Sequence, residues 1–420
     1  MANDSTRYTI VIPTRERCET LNSTLKTCVT QDYENLEIIV SDNFSQDDTR
    51  AVVESFKDKR IRYLNTGKRL GMSGNWEFAL SNVNDGYVTF IGDDDGLLPD
   101  AVSEVSALIQ ERGKVSAFAW SRAVYHWPSH TRPIQRNTLF THLDKRLLHL
   151  NSNEWLRRLA AFQCSWASLP GIYNGFIHMD VVHRIKQAST GRFFNSAIPD
   201  VYSAIGIASA IPDYYLSMRP YAIAGISAKS TGNSFSNMQA GAGPAQRFLS
   251  ENEIAIHPKM VMSSLSTICV AECMLQMRDL HLLPEGIDID IKALIRAALL
   301  EASEEPREEY PHILQTIRQI AAKNELTEVA EQLIKNALYS PRMEIGPISA
   351  RDLRRNSLVL NCSNYGVNDI YGATVLCRSV LSSNRMRYLF PVGTMRTTIS
   401  SYIPPIKKRV EGYFRRIRHS

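Results

Sequence analysis

The chain has 420 residues, of which 44% are hydrophobic and 22% charged, with a net charge of +5. That length holds two or three domains, and the ordinary balance of apolar and charged residues excludes a disordered or fibrous chain. No stretch reads as a membrane span of about 18 strongly apolar residues, the first seven residues lack an apolar signal core, and seven scattered cysteines without a CxxC pair point to a reducing, cytoplasmic setting.

Tyr8-Thr9-Ile10-Val11-Ile12-Pro13 is a β-branched run ended by a proline, which predicts a buried strand. A polar loop, Thr14-Arg15-Glu16-Arg17, leads to a helix over 19–31, where Leu21, Leu25 and Val29 recur every four residues. Leu36–Val40 predicts a second strand, Thr49 to Lys57 a helix, and Ile61–Leu64 a third strand. Gly71–Asn75 reads as a loop before a helix from Trp76 to Ser81. The apolar run Gly86–Ile91 predicts a fourth strand, stopped by Gly92-Asp93-Asp94-Asp95-Gly96. A helix is expected after Pro99-Asp100, and Val115–Trp120 resumes the sheet.

This alternation implies a parallel sheet with helices on both faces. Loops holding Thr14 and Arg17, Asp42 and Asn43, Asn75, and Asp93 to Asp95 should then gather at the carboxyl edge of that sheet, where such folds bind ligands. Three adjacent carboxylates repel one another and need cations, solvent or a helix N-terminus. The chemistry they fit is a divalent metal that in turn holds a phosphate, and a solvated acidic turn is the bland alternative. The glycine-rich dinucleotide fingerprint and the GxxxxGK[ST] loop are both absent after the first strand.

The order Val-Ile-Pro-Thr-x-x-Arg, Ile-Ile-Val-Ser-Asp-Asn-x-Ser-x-Asp-x-Thr, Gly-x-Ser-x-Asn and Gly-Asp-Asp-Asp-Gly-Leu-Leu-Pro resembles a family 2 glycosyltransferase, over roughly residues 6 to 235. The resemblance implies a GT-A-type sheet and an inverting transfer of sugar from a nucleotide sugar. UDP is the expected nucleotide, and the acceptor is expected to be a hydroxyl of a glycan or a lipid-linked glycan. Carried onto this chain, it implies that Pro13, Thr14 and Arg17 border the nucleotide and that Asp42 accepts a hydrogen bond from the base. Asp93 would face the ribose or sugar. Asp95, with Asp94 beside it, would ligate Mn2+ or Mg2+. Asn75 is either a site residue or the N-cap of the helix at Trp76.

Beyond Trp120, Ser121 to Leu150 lacks periodicity and is expected to be a loop or hairpin on the acceptor side. Its histidines have no zinc spacing. Asn153–Phe162 is helix-like with Ser152 or Asn153 as cap, Gly171–His178 reads as a strand, and Asp180–Gln187 as a helix. A helix then starts at Pro199-Asp200 and runs to Ala210. The resemblance implies that an acid here is the catalytic base, so Asp200 is expected to take the proton of the acceptor hydroxyl, although many members carry a Glu-Asp pair where this chain has Pro-Asp. A helix N-cap is the other reading of Asp200. After a strand at Tyr221–Ile226, the small polar loop from Ser227 offers Lys229 to the diphosphate, or else is a plain linker.

The sequence is thus divided into a GT-A domain at 1–240, a helical appendage at 241–340, and a mixed basic region at 341–420. Helices are expected over Glu253–Leu280, Asp290–Ser303, Tyr310–Asn324 and Leu326–Tyr339. Leu358–Leu360 and Ala373–Leu376 fit either strands or short helices. From Ile370 onward ten Lys and Arg face a single acid, Glu411, so this tail carries +9. Ile406 to Ile417 can form a basic amphipathic helix suited to an anionic membrane face, with an oligomer contact or a frayed tail as the alternatives. No stacking module accompanies this charge, which argues against nucleic acid. Two rival functions stay open from sequence: a nucleotidyltransferase acting on sugar phosphates, against which the glycine-free loop after the first strand counts, and a non-catalytic nucleotide-sugar-binding module, against which the full set of acids counts.

Overall fold

The computed structural model describes residues 6–230, 250–341, 350–352 and 356–382. The chain opens with β1 (Tyr8–Thr14), α1 (Cys18–Val29), β2 (Leu36–Asp42), α2 (Thr49–Ser55), β3 (Ile61–Asn65), α3 (Met72–Leu80) and β4 (Tyr87–Phe90). After the acidic turn come β5 (Gly96–Leu97), α4 (Ala101–Arg112), β6 (Ala117–Trp120), β7 (Ala123–His126), β8 (Thr138–His142) and β9 (Leu147–Asn151). Then follow α5 (Ser152–Ala160), β10 (Gly175–His178), α6 (Met179–Ala188), α7 (Pro199–Ala210), β11 (Asp213–Ser217) and β12 (Ala222–Ile226). Among the described residues, the next region contains α8 (Ser266–Asp279), α9 (Ile291–Ala302), α10 (Tyr310–Lys323) and α11 (Thr327–Lys335). Two strands, β13 (Ala350–Asp352) and β14 (Ser357–Asn361), and helix α12 (Ile370–Ser382) end the described chain.

The main sheet runs β3-β2-β1-β4-β10-β6-β11-β9. β1 to β4 are parallel, as the strand–helix alternation requires, whereas β10 runs against both β4 and β6. Alternate residues of each strand serve opposite cores. Ile10, Ile12, Ile38 and Val40 pack beneath Leu21 and Leu25 of α1, Val53 of α2 and Val105 of α4. Val11 and Ile39 face the other way, onto Trp76 and Leu80 of α3, Ile185 of α6 and Ile207 of α7. The α/β class with helices on both faces, followed by a helical region, is therefore what the chain adopts.

A second sheet, β13-β14-β8-β7-β12-β5, stands beside the first. The chain crosses from one to the other at Ser121-Arg122, between β6 and β7. The loop or hairpin expected at 121–150 holds β7 and β8 paired antiparallel, with β9 following, and β11 has no counterpart in the sequence expectations. Both depend on partners far along the chain: β9 lies on β11, and β8 on β7 and β14.

Several boundaries also move. Helix α3 starts at Met72 with Gly71 as its cap residue, so Asn75 lies inside the helix and is not its cap. Helix α5 is capped by Asn151, whose side chain accepts from the Glu154 N–H, rather than by Ser152 or Asn153. Gly171–Asn174 is a turn, closed by the Asn174 side chain on the Gly171 N–H, so the strand begins at Gly175. The helix expected from Glu253 begins only at Ser266. Ala373–Leu376 is helical, within α12, while Leu358–Leu360 is strand.

The later segments pack on the elements that precede them. Leu156 and Leu159 of α5 and Val201, Ile205 and Ala208 of α7 share one core with Ile268 and Leu275 of α8, Ile295 of α9 and Ile317 of α10. Helix α7 is thus held between the main sheet and the helical region. Strand β14 pairs along the whole of β8, and Ile370 and Thr374 of α12 lie against Gly96. The proposed amphipathic helix at Ile406–Ile417 lies outside the described residues, as do residues 231–249 of the loop after β12.

Candidate active site

Parallel register brings the ends of β1 and β2 level, with Thr14 opposite Asp42. Strand β4 ends beside them in the acidic turn, where the Asp95 N–H bonds to the Gly92 carbonyl at 3.1 Å. The side chains of Asp93, Asp94 and Asp95 are all buried, and each has its own donors. Asp93 accepts from Thr14 Oγ1 and from Arg17 Nη1, both at 2.7 Å. Asp94 Oδ2 accepts from the hydroxyls of Ser227 at 2.7 Å and Ser230 at 2.5 Å. Asp95 accepts from the Gly225 N–H at 2.7 Å on one oxygen, and on the other from Tyr173 at 2.5 Å and the Gly92 N–H at 2.8 Å. The indole N–H of Trp127 fixes the Asp94 carbonyl at 2.9 Å.

Separate donors are how three neighbouring buried carboxyls coexist. The strain still shows in their acidity. Burial pushes Asp93 up, opposed by Arg17 and reinforced by Asp94. Burial and the charge of Asp94 push Asp95 up to about 6, with Arg122 acting against them. Burial alone would weaken the positive charge of Arg17, but Asp93 and Asp94 more than restore it. Two glycines give this turn its room. A Cβ on Gly225 would stand 1.7 Å from the Asp94 carbonyl oxygen, and one on Gly92 would stand 2.7 Å from the Tyr173 hydroxyl.

Asp200 occupies the first turn of α7 behind Pro199, whose fixed backbone suits a helix start. Its carboxylate accepts from no side chain among the described residues, and burial raises its pKa above the usual carboxylate range. The turn before β10 ties it to the acidic turn. The Ser203 hydroxyl of α7 bonds to the Asp200 carbonyl at 2.8 Å and meets the Ile172 N–H at 3.3 Å, and the next residue, Tyr173, reaches Asp95. Arg122 lies over the Tyr173 ring at 4.8 Å, and its charge acts on both Asp95 and Asp200.

Thr14, Arg17, Asp93, Asp94 and Asp95 are therefore brought together, with Pro13 in the same strand end. Lys229 joins them through its backbone, whose carbonyl takes a hydrogen bond from Arg17. Its exposed ammonium reaches the Glu16 carbonyl at 3.3 Å and Glu19 at 3.4 Å. Asp42 is buried and accepts from Tyr63 at 2.5 Å, Asn65 at 3.1 Å and the Ser45 N–H at 2.9 Å. Asn75 spends its amide on Ser41, at 2.7 and 3.3 Å, which fastens α3 to β2 instead of facing the turn. Sequence reasoning missed Arg122, Tyr173 and Trp127. Each sits where a distant segment folds back, and no local pattern marks it.

Among the described residues, no cluster of three His, Cys, Asp or Glu side chains is arranged to hold an ion. Both oxygens of Asp93 and of Asp95 are occupied, whereas Asp94 Oδ1 takes no hydrogen bond among the described residues.

Residues 9–167 match the family model described as "Glycosyl transferase family 2". A GalNAc(5)-diNAcBac-PP-undecaprenol beta-1,3-glucosyltransferase of Campylobacter jejuni is 40% identical over 100 residues, covering 23% of this chain and 32% of the relative. A UDP-Glc:alpha-D-GlcNAc-diphosphoundecaprenol beta-1,3-glucosyltransferase of Escherichia coli is 31% identical over 86 residues, 20% of this chain and 34% of the relative. The chain thus matches about a third of the length of these curated relatives. The crystal structure of S. aureus TarS 1-349 in complex with UDP-GlcNAc is similar over 80% of this chain and 93% of that one, at 12% identity and a TM-score of 0.43. The match to glycosyl transferase family 2 thus covers residues 9–167, which run from Thr9 of β1 through α5 and contain the acidic turn.

Proposed function

We propose that the protein is an inverting glycosyltransferase that moves a sugar, glucose in the first instance, from a UDP-sugar to a hydroxyl of a lipid-linked glycan. The family match supports transfer from a nucleotide sugar, and the two relatives named for glucosyl transfer onto diphosphoundecaprenol acceptors support that donor and acceptor. The observation that carries the mechanism is Asp200: a carboxylate without a side-chain donor among the described residues, its pKa raised by burial, linked through Tyr173 and Arg122 to the acidic turn. A raised pKa makes a carboxylate a stronger base, and in this reading Asp200 takes the acceptor's proton as its oxygen attacks the anomeric carbon. One displacement inverts that carbon. Arg17 and Thr14 hold Asp93 toward the donor end, and the rigid support of Asp95 fixes the turn.

A divalent cation, Mn2+ or Mg2+, would offset charge on the departing diphosphate. The metal role expected of Asp95 passes, in this reading, to Asp94. Asp95 is fully engaged by fixed donors, while Asp94 Oδ1 takes no hydrogen bond among the described residues, with Arg17 Nη1 at 3.9 Å, and Oδ2 accepts from two serine hydroxyls. A single carboxylate suffices when substrate phosphates supply further ligands. Thermal shift with UDP tests this. The wild type should gain stability from UDP with Mn2+ more than from either alone, and Asp94→Asn should remove the synergy. Synergy that survives in the variant contradicts the assignment.

A further inference from the structure

We infer that Arg122 is a phosphate-binding residue, set between the acidic turn and Asp200 by the faces of Trp166 and Tyr173. The inference rests on the transferase reading and adds a ligand contact to the same site. Arg122 lies where the chain passes from β6 in one sheet to β7 in the other, at the carboxyl edge of β6. Its guanidinium stands 4.8 Å from the centre of the Tyr173 ring and 5.8 Å from that of Trp166. Such stacking fixes the plane of the group while leaving the N–H fork at its edge available.

The fork has no hydrogen-bonded or ion-paired partner among the described residues, although its charge is felt by Asp95, Asp200 and Tyr173. A cation present only to neutralise those acids would be expected to touch one of them, as Arg17 touches Asp93 at 2.7 Å. Arg17 is committed to Asp93, and Lys229 points to Glu16 and Glu19. Arg122 is therefore the described cation of this site whose donors await an anion. The proposed reaction brings two diphosphates near it, that of the donor nucleotide and that of the lipid-linked acceptor. Each offers the paired oxygens that a guanidinium binds in bidentate fashion.

Calorimetric titration of the full chain, wild type, Arg122→Lys and Arg122→Met, decides between them. The probes are UDP, an alkyl-diphospho-GlcNAc and the alkyl glycoside of GlcNAc that lacks the diphosphate. Arg122→Met keeps an apolar side chain against the rings, and its melting temperature reports any structural damage. If the donor is the ligand, UDP weakens about tenfold or more in Arg122→Met and Lys recovers part of it. If the acceptor is the ligand, the alkyl-diphospho-GlcNAc weakens to that degree while the plain glycoside does not change. Affinities for both diphosphates within twofold of wild type overturn the inference, as does a loss shared equally by the glycoside. Wild-type protein that binds UDP through Arg122 but transfers no sugar would instead sink the transferase reading alone.

Discussion

Asp95 is buried and Asp200 partly so, and both have raised pKa values, yet their surroundings suit them to different work. Asp95 is locked by two backbone N–H groups and a tyrosine, whereas Asp200 takes no side-chain donor among the described residues. Replacing Asp200 by Asn should lower kcat by about 100-fold to 10,000-fold and leave UDP affinity near wild type. The same variant should be more stable than wild type at pH 7. Burial raises the folded-state pKa of Asp200, so ionising it costs stability above that pKa, and the penalty vanishes below the unfolded value of ~3.9. Thermal melts should thus show an advantage for Asp200→Asn at neutral pH that shrinks toward pH ~4. An advantage that grows on acidification would contradict the burial argument. Gly225 gives a second test. A methyl group there would overlap the Asp94 carbonyl, so Gly225→Ala should lower stability by about 1–3 kcal/mol or more and abolish transfer, read by denaturant unfolding and assay. The acids themselves were legible in the sequence, because a run of three is rare without a purpose. Their partners were not. Tyr173 and Trp127 lie in segments whose positions depend on tertiary pairing.

At the scale of elements, α3 governs where α7 begins. Glu77 accepts from Lys186 at 2.7 Å and from the N–H groups of Phe193 and Phe194 at 2.8 and 3.0 Å, and Ser73 holds the Ser196 carbonyl at 2.5 Å. These contacts anchor the chain just ahead of Pro199-Asp200. Glu77→Ala strands two N–H groups and should cost about 1.5–3 kcal/mol in unfolding experiments. It should also depress kcat more than KM for donor, since the nucleotide end is untouched. Equal losses in both would mean that α3 supports the fold generally and not Asp200. The early strand–helix units were readable from apolar periodicity because their partners are neighbours in the chain. Helix α3 was placed late because Gly71-Met72-Ser73-Gly74 looks like a loop, and only the packing of Trp76 on Phe90 and Tyr173 shows its true start.

At the scale of the molecule, the segments after β12 cover elements that precede them. Helix α8 covers α7, and β14 covers β8. A chain ending at residue 341 would expose the β8 edge and the apolar face held by Leu358, Leu360, Ile370 and Cys377. Such an open edge invites aggregation. The truncated protein should therefore melt earlier and self-associate, which light scattering would detect. Unaltered monodispersity and melting would mean that β14 and α12 are dispensable. The sequence marked the helical region by its periodicity, but nothing local announced that the last strand pairs with one more than two hundred residues earlier. The central claim is met most directly by incubating wild type and Asp200→Asn with UDP-glucose and an alkyl-diphospho-GlcNAc acceptor, then assigning the new linkage by NMR. A β-glucoside from the wild type and none above background from the variant is the predicted result. An α-linked product, or equal transfer by the two proteins, would contradict it.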